Sequence, residues 1–419
     1  MINEYTLKDQ YTPFFKVLWQ TFFVFFFIYE VQHFVMPDLL TSRKLMFYLA
    51  AILFFIKYNH YYYSKRHRGS LHRKTTRNLV LLGLVMVFWQ LFLTLINTNA
   101  VGEPILGRTI LFFVLTSLFC VFSYFLFDNL KQFLLSTFFA SILQSIIVIA
   151  DFFSDAVKQF FYNNFVLDAN FGYLSPMRAA GLGAGESLLS IDLYLGLVAA
   201  SILILTSKKI SIYVIGYIVI LFSCFLAGTT GFLLGLTLLL VTITILILHG
   251  NLKQKVSVSL ILFGGIVLLF TLAASFFSEI DDFRNFTKIT DLWDLGVEDQ
   301  ATVSTLKSQK VAPLSSETLL GTSLYRGTIN GITTMSDTGY IQSYFGHGLI
   351  FAFIFYFVLY RSMIINIKAV KNKMVFLVLV FFGLSIALAE AKEPYIYHYG
   401  ITFVFFLICF LAQKNQKYS

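Results

Sequence analysis

Charge is the scarcest property of this chain. Asp, Glu, Lys and Arg together make up 13% of its 419 residues, where a soluble domain carries about a quarter. That excludes an ordinary solvated globule. Cysteine occurs three times, at Cys120, Cys224 and Cys409, each inside an apolar run and far from the others. A disulfide or a cysteine metal site is not expected from such spacing, and core packing is. No solenoid-type repeat is present. The N-terminal stretch MINEYTLKDQYTPFFK lacks the short basic head and small-residue cleavage site of a removable signal peptide, so the first apolar segment is expected to be retained.

What the chain has instead is hydrophobic residue, 58% of the total. Apolar runs of about 20 residues recur, each long enough to cross a hydrocarbon core of roughly 30 Å. The expected fold is an all-α, polytopic membrane protein forming a single integral membrane domain over 1–419, with about twelve spans. They fall near 14–35, 45–62, 78–97, 108–127, 133–152, 187–206, 210–227, 230–248, 256–278, 340–360, 374–390 and 399–412. The second is the weakest, because it ends in the polar, aromatic YNHYYY.

The formal net charge of +9 would suit nucleic acid in a soluble protein. Here the positive-inside rule accounts for it, and no nucleic-acid partner is expected. About 20 of the 31 Lys and Arg fall on the side of the two termini, including the cluster KRHRGSLHRKTTR; about 18 of the 22 acidic residues fall opposite. Both termini are therefore expected in the cytoplasm, with the basic cluster near anionic lipid.

Two long connections, 153–186 and 279–339, are expected on the outer side. Loops of this length are usually functional or unstructured. In the first, Phe153, Val157, Phe160, Phe161 and Phe165 have the spacing of a helix lying on the membrane surface. The second is polar, with candidate helical stretches between Asp299 and Lys310. The first ends in MRAAGLGAGE. A helix start carries unpaired N–H groups and the positive end of a dipole, which favour an anion. Gly181, Gly183 and Gly185 allow close backbone approach and positive φ, and Arg178 supplies a planar fork suited to phosphate oxygens. The alternative is an arginine snorkelling to headgroups above a simple turn. A dinucleotide loop is excluded, since no strand precedes it.

The second long connection ends in LYRGTINGITTMSDTGYIQSYFGHGLI. Arg326 precedes a helix start with Ser336 or Asp337 as the expected N-cap. Asp337, Tyr340, Tyr344 and His347 follow at steps of three, four and three, which puts them on one helical face. Polar groups stacked down a span line a cavity or bind neighbouring helices. His347 taken alone reads equally as a packing histidine. Lys392, in EAKEPYIYHYG, joins the site or is merely solvated. Glu30 and Asp192 lie inside spans, where each can pair with a neighbour.

An Arg- and Gly-rich start to a middle helix, a long outward loop and SDTGYIQSYFGHG opening a late helix resemble the Wzy-type polysaccharide polymerases, which are grouped with the O-antigen ligases. The resemblance implies a metal- and cofactor-independent glycosyltransferase with a GT-C-like fold of the second subclass, in the bacterial cytoplasmic membrane. Its substrates would be undecaprenyl-diphosphate-linked oligosaccharides, joined at the outer face for capsule, O-antigen or another exopolysaccharide. A flippase and a chain-length regulator would be its partners, in contact with membrane lipid. Arg178 and Arg326 would hold the diphosphates, and Arg284 is a weaker match for a further arginine. No histidine occurs between residues 279 and 339, which leans away from the ligase branch. Glu186, Asp337 and His347 are the candidate proton acceptors, with Asp337 favoured. The rival class is a flippase or other transporter of lipid-linked oligosaccharide, which would also have about twelve spans.

Overall fold

Apolar runs without access to water must close their backbone hydrogen bonds internally, and the helix is the element that does so within one segment. The computed structural model describes residues 14–33, 35, 40–62, 71–165, 179, 181–182, 186–207, 210–249, 311–397 and 399–415. Those residues are mostly helical. In chain order the helices are α1 (Phe14–Ile28), α2 (Ser42–Tyr62), α3 (Leu71–Ile96), α4 (Leu106–Phe112), α5 (Phe119–Tyr124), α6 (Leu130–Phe153), α7 (Asp155–Asn164), α8 (Glu186–Thr206), α9 (Ser211–Ala227), α10 (Thr229–His249), α11 (Ser316–Leu320), α12 (Gly339–His347), α13 (Leu349–Lys368), α14 (Lys373–Lys392) and α15 (Tyr399–Asn415). A π-helical turn, Phe113–Leu118, joins α4 to α5.

Seven of these segments are long and apolar enough to cross a bilayer: Lys74–Ile96, Leu106–Tyr124, Leu130–Phe153, Leu188–Thr206, Thr229–His249, Leu349–Lys368 and Lys373–Lys392. Three shorter apolar helices, Phe14–Ile28, Ser211–Ala227 and Gly400–Lys414, accompany them. α2, polar at both ends, is in neither set. The expected span at 256–278, the helical stretches between Asp299 and Lys310 and residues 65–70 of the basic cluster at 65–77 lie outside the described residues.

The span Leu188–Thr206 is the axis of the bundle, 94% buried. Neighbours approach it closely where small residues allow: Gly196 of α8 lies against Ser141 of α6, and Gly231 of α10 against the Ser190 carbonyl. The peripheral helices turn apolar side chains outward instead, among them Leu84 and Phe88 of α3, Leu240 and Ile247 of α10, and Phe353 and Phe357 of α13. An exposed apolar belt of this kind suits a lipid surface. The chain is a multi-pass helical membrane protein.

Helix ends sort into two groups. At one end, lysines close the bundle over the C-terminus of α5. Lys57 donates to the Phe125 carbonyl, Lys414 to the carbonyls of Tyr124 and Phe127, and Lys16 pairs with Asp128. Exposed C-terminal carbonyls carry partial negative charge, so cations suit them. Asn366 of α13 bonds Thr75 of α3 on the same side. At the other end, Arg43 at the start of α2 meets the end of α1, and Lys392 at the end of α14 meets Thr230 at the start of α10.

Two expectations change at this second end. The expected span 340–360 is two helices, because Gly348 breaks the chain at φ 85° between α12 and α13. The Tyr344 carbonyl accepts from the Gly348 N–H, ending one helix; the Gly348 carbonyl accepts from Ala352 N–H, starting the next. The N-cap of α12 is Thr338, without a side-chain cap bond, rather than Ser336 or Asp337. Asp337 therefore precedes the helix and does not share its face. The other unexpected feature is a small antiparallel sheet of β1 (Val101–Pro104), β2 (Leu324–Ile329) and β3 (Ile332–Thr334), in the order β1-β2-β3. A helix does follow residue 153: it is α7, started by Ser154, whose hydroxyl accepts from the Val157 N–H. Its Phe161 is buried and Phe160 exposed.

A Cβ on Gly348 would lie 2.3 Å from the Leu320 carbonyl carbon, and an L residue at that φ is strained by about 1–3 kcal/mol even in open space. Gly348→Ala should lower the melting temperature of the purified protein by several degrees at least, measured by fluorescence-detected unfolding. An unchanged melting curve would show that the α12–α13 break is not fixed by this contact.

Candidate functional site

Arg326 sits on β2, opposite Glu103 of β1 in the sheet register. The turn between β2 and β3 is Asn330-Gly331, with φ of 48° and 79°, the two-residue combination that a tight hairpin requires. The hairpin returns the chain beside Arg326, and Asp337 follows β3 by three residues. The result is an ion pair between Arg326 Nη2 and an Asp337 carboxylate oxygen. Both side chains are partly open to solvent, 38% and 50% exposed. The Arg326 Nε, by contrast, is buried and has no hydrogen-bond partner among the described residues. Exposed pairs of this type contribute about 0–1 kcal/mol, so the pair is free to exchange partners.

Register shifts between Glu103 and Pro104, leaving Tyr325 as the extra residue of a bulge. Bulges re-aim side chains and are common beside functional sites. The Tyr325 ring carries the Arg108 guanidinium 3.5 Å from its centre. Arg108 Nη1 donates to Gln342 Oε1 at 2.9 Å, and Gln342 Nε2 donates to the Ser336 carbonyl at 2.8 Å. Burial first, then a hydrogen bond with Glu103, raises the Tyr325 phenol above its ordinary value while the Arg108 charge opposes them. The phenol is therefore neutral at physiological pH.

The remaining candidates divide. His347 is fully buried. Its Nδ1 faces Gln90 Nε2 at 2.7 Å, and that amide nitrogen also donates to the Gly346 carbonyl at 3.2 Å. An amide nitrogen only donates, so Nδ1 accepts and Nε2 carries the proton, directed to Tyr397 Oη at 2.9 Å. Both ring nitrogens are thus used in packing. Tyr340 Oη lies 2.6 Å from Tyr360 Oη and donates to the Ala387 carbonyl at 3.0 Å. Tyr344 donates to the Ala312 carbonyl at 3.2 Å. These two tyrosines tie α12 to α13, α14 and the preceding loop. Lys392 bonds Thr230 and lies 3.4 Å from Glu393.

Gly181 has the positive φ expected of it, 56°. Its N–H donates to Asp151 Oδ2 at 3.2 Å, at the end of α6, and Gln144 donates to the Leu182 carbonyl at 2.8 Å. A carboxylate therefore occupies the anion-binding N–H of this glycine. Arg178, Gly183, Gly185, Arg284 and the Glu186 side chain lie outside the described residues, although α8 does begin at Glu186.

Two groups were not anticipated. Arg108 lies in the first turn of α4, in a stretch that offered no motif. Glu390, in the last turn of α14, is fully buried with both oxygens engaged: Oε1 accepts from Tyr356 at 2.8 Å and Oε2 from the Ile396 N–H at 2.7 Å. The only prior signal was a carboxylate inside an apolar run followed by a proline turn, EAKEP. A Cβ on Gly339 would lie 2.1 Å from Glu390 Oε1 and 2.8 Å from the Pro394 Cα, so a larger residue at the start of α12 would displace this carboxyl. Through Tyr356, Ser343 and Tyr397 the hydrogen bonds run on to His347. Glu30, at the same end of the bundle, pairs with Arg43 at 2.8 Å, and Arg43 also donates to the Phe27 and Ile28 carbonyls.

No protein-family model matches this chain, and no curated protein matches it. Among the described residues no group of three or more His, Cys, Asp or Glu could hold a metal ion. The chemistry available is that of guanidinium forks, a partly exposed carboxylate and hydroxyls: binding an anion and accepting a proton.

His347→Ala should destabilise by about 2–5 kcal/mol, since it opens a cavity and takes one buried hydrogen bond each from Gln90 and Tyr397. Arg326→Ala should change stability by no more than about 1 kcal/mol. Chemical denaturation of the two purified variants checks the contrast. A stable His347→Ala protein would contradict the packing role.

Proposed function

We propose that this protein is a polysaccharide polymerase. It joins undecaprenyl-diphosphate-linked oligosaccharide units at the outer face of the bacterial cytoplasmic membrane, as a metal-independent glycosyltransferase of the GT-C-like second subclass. The observation that carries the reading is the contact between Arg326 and Asp337 at the end of the bundle opposite the lysines. The positive-inside rule assigns the lysine-rich end to the cytoplasm, which leaves the arginine end outside.

In the reaction an acceptor sugar hydroxyl attacks the anomeric carbon of the donor glycan. The new C–O bond forms as the bond to the diphosphate oxygen breaks, the lipid diphosphate departs with the electron pair, and the hydroxyl proton goes to a base. Fixed guanidinium groups oppose the charge that grows on the departing phosphate. Arg326 is suited to that role, and Asp337 to accepting the proton. In the resting pair each neutralises the other. An arriving diphosphate competes for Arg326 and frees Asp337, so donor binding uncovers the base. Arg178 and Arg284 enter the reading from the sequence alone. His347 and Tyr340, with their polar atoms already bonded inside the protein, support the walls of the site.

Purified protein given a defined lipid-linked unit should build a ladder of products. Arg326→Ala should slow it by on the order of 100-fold, and Asp337→Asn should do the same with folding intact. Ladders of normal rate and length from either variant would defeat the assignment.

A further inference from the structure

A cation held half-buried at the edge of a membrane protein needs a counter-ion, because water solvates it only in part. Among the described residues of the arginine end, two guanidinium groups have one in contact: Arg43 has Glu30 and Arg326 has Asp337. Arg108 has none among the described residues. Its contacts among the described residues are the Tyr325 ring, a hydrogen bond with the Tyr325 hydroxyl and one bond from Nη1 to Gln342, which leaves most of its five N–H groups without a described protein acceptor. Glu390 has both oxygens occupied by Tyr356 and the Ile396 N–H. Glu103 is directed to the Tyr325 phenol.

We propose that Arg108 is a second guanidinium for the diphosphate of the lipid-linked substrate, an inference that rests on the polymerase reading. Its location supports this role. Tyr325, on which it stacks, is the chain neighbour of Arg326. Gln342, which fixes its fork, is bonded to the carbonyl of Ser336, the chain neighbour of Asp337. Both supports of Arg108 thus lead to the ion pair. Stacking on a ring and an edge bond hold the guanidinium flat, so little side-chain freedom is lost when an anion binds. Two phosphoryl groups joined by one oxygen present more acceptor oxygens than one fork can satisfy. Arg326, held loosely, meets the ligand after leaving Asp337; Arg108, already fixed and with no carboxylate in contact among the described residues, meets it first.

Phosphate oxygens also occur on ordinary phospholipid headgroups, so the test separates the sources. Full-length protein in detergent micelles is titrated with a fluorescent farnesyl diphosphate, with farnesyl monophosphate and phosphatidylglycerol as competitors. Arg108→Gln should weaken diphosphate binding by on the order of 10- to 100-fold, as expected for a charge-assisted contact. It should raise KM for the lipid-linked unit by a similar factor and leave the melting temperature within a few degrees. Arg108→Lys keeps the charge but loses the flat fork, and should fall between. Unchanged binding in Arg108→Gln would overturn the proposal, as would displacement of the probe by phosphatidylglycerol as effectively as by the diphosphate. If Arg108→Gln does not fold, Arg108→Lys with wild-type affinity and KM would also overturn it. Wild-type protein that binds the diphosphate through Arg108 yet makes no polymer would defeat the polymerase reading and leave this inference standing.

Discussion

A polar group placed among apolar helices must find its partner inside the protein, because the surroundings offer none. The upper part of this structure follows from that constraint. Glu390 would be costly in the last turn of a span if it were alone. Instead it gathers Tyr356 from α13 and the Ile396 N–H from its own C-terminal turn, and its carboxylate fits against the missing side chain of Gly339. Tyr356 passes the bonding on to Ser343, Ser343 to Tyr397, and Tyr397 to His347, which ends on Gln90 of α3. Four helices and a turn are fixed to one another by a single line of buried hydrogen bonds. Such networks are costly to break at any point.

The line holds α12, and α12 begins one residue after Thr338 and two after Asp337. The loop that carries the candidate carboxylate is thereby attached to the most constrained element at that end. The sheet does the same for the candidate cations. β1 brings the connection before α4 alongside β2, so Arg108 and Arg326, 218 positions apart in sequence, are supported by adjoining residues of one strand. Rigid support beneath, with exposed charge on top, is the arrangement a binding site for a mobile, charged substrate requires.

Much of the membrane architecture was legible because hydrophobic length is a one-dimensional property. The apolar segments at 78–97, 133–152, 187–206, 230–248 and 374–390 all correspond to helices. The division of 340–360 was not legible. GHGLI reads as a continuous helix with two tolerated glycines, and only the approach of Leu320 and Gly321 to Gly348 explains the break. The sheet was missed for a similar reason. Asn330-Gly331 is a strong hairpin signal by itself, but ITT is short and the partner strand VGEP lies more than 200 residues away. Arg326 and Asp337 were both named from sequence, while their pairing depended on that hairpin. Arg108 had no motif at all, and became visible only once its stacking partner was in place.

Burial separates the two arginine–carboxylate pairs at this end. Arg43 is 8% exposed in its side chain, donates to two backbone carbonyls besides Glu30, and shares that carboxylate with Thr41. Removing its partner would strand a charge away from water, so the contact is fixed. Arg326 is several times more exposed than Arg43 and Asp337 about twice as exposed as Glu30, and they make few other bonds among the described residues. Water can solvate either group when the other leaves, and the equilibrium between pairing and separation is nearly balanced. A diphosphate with its higher charge tips that balance with a modest advantage in affinity, where it could not displace Glu30 from Arg43. The same residue types therefore serve as a rivet in one place and an exchangeable contact in the other, and solvent access decides which.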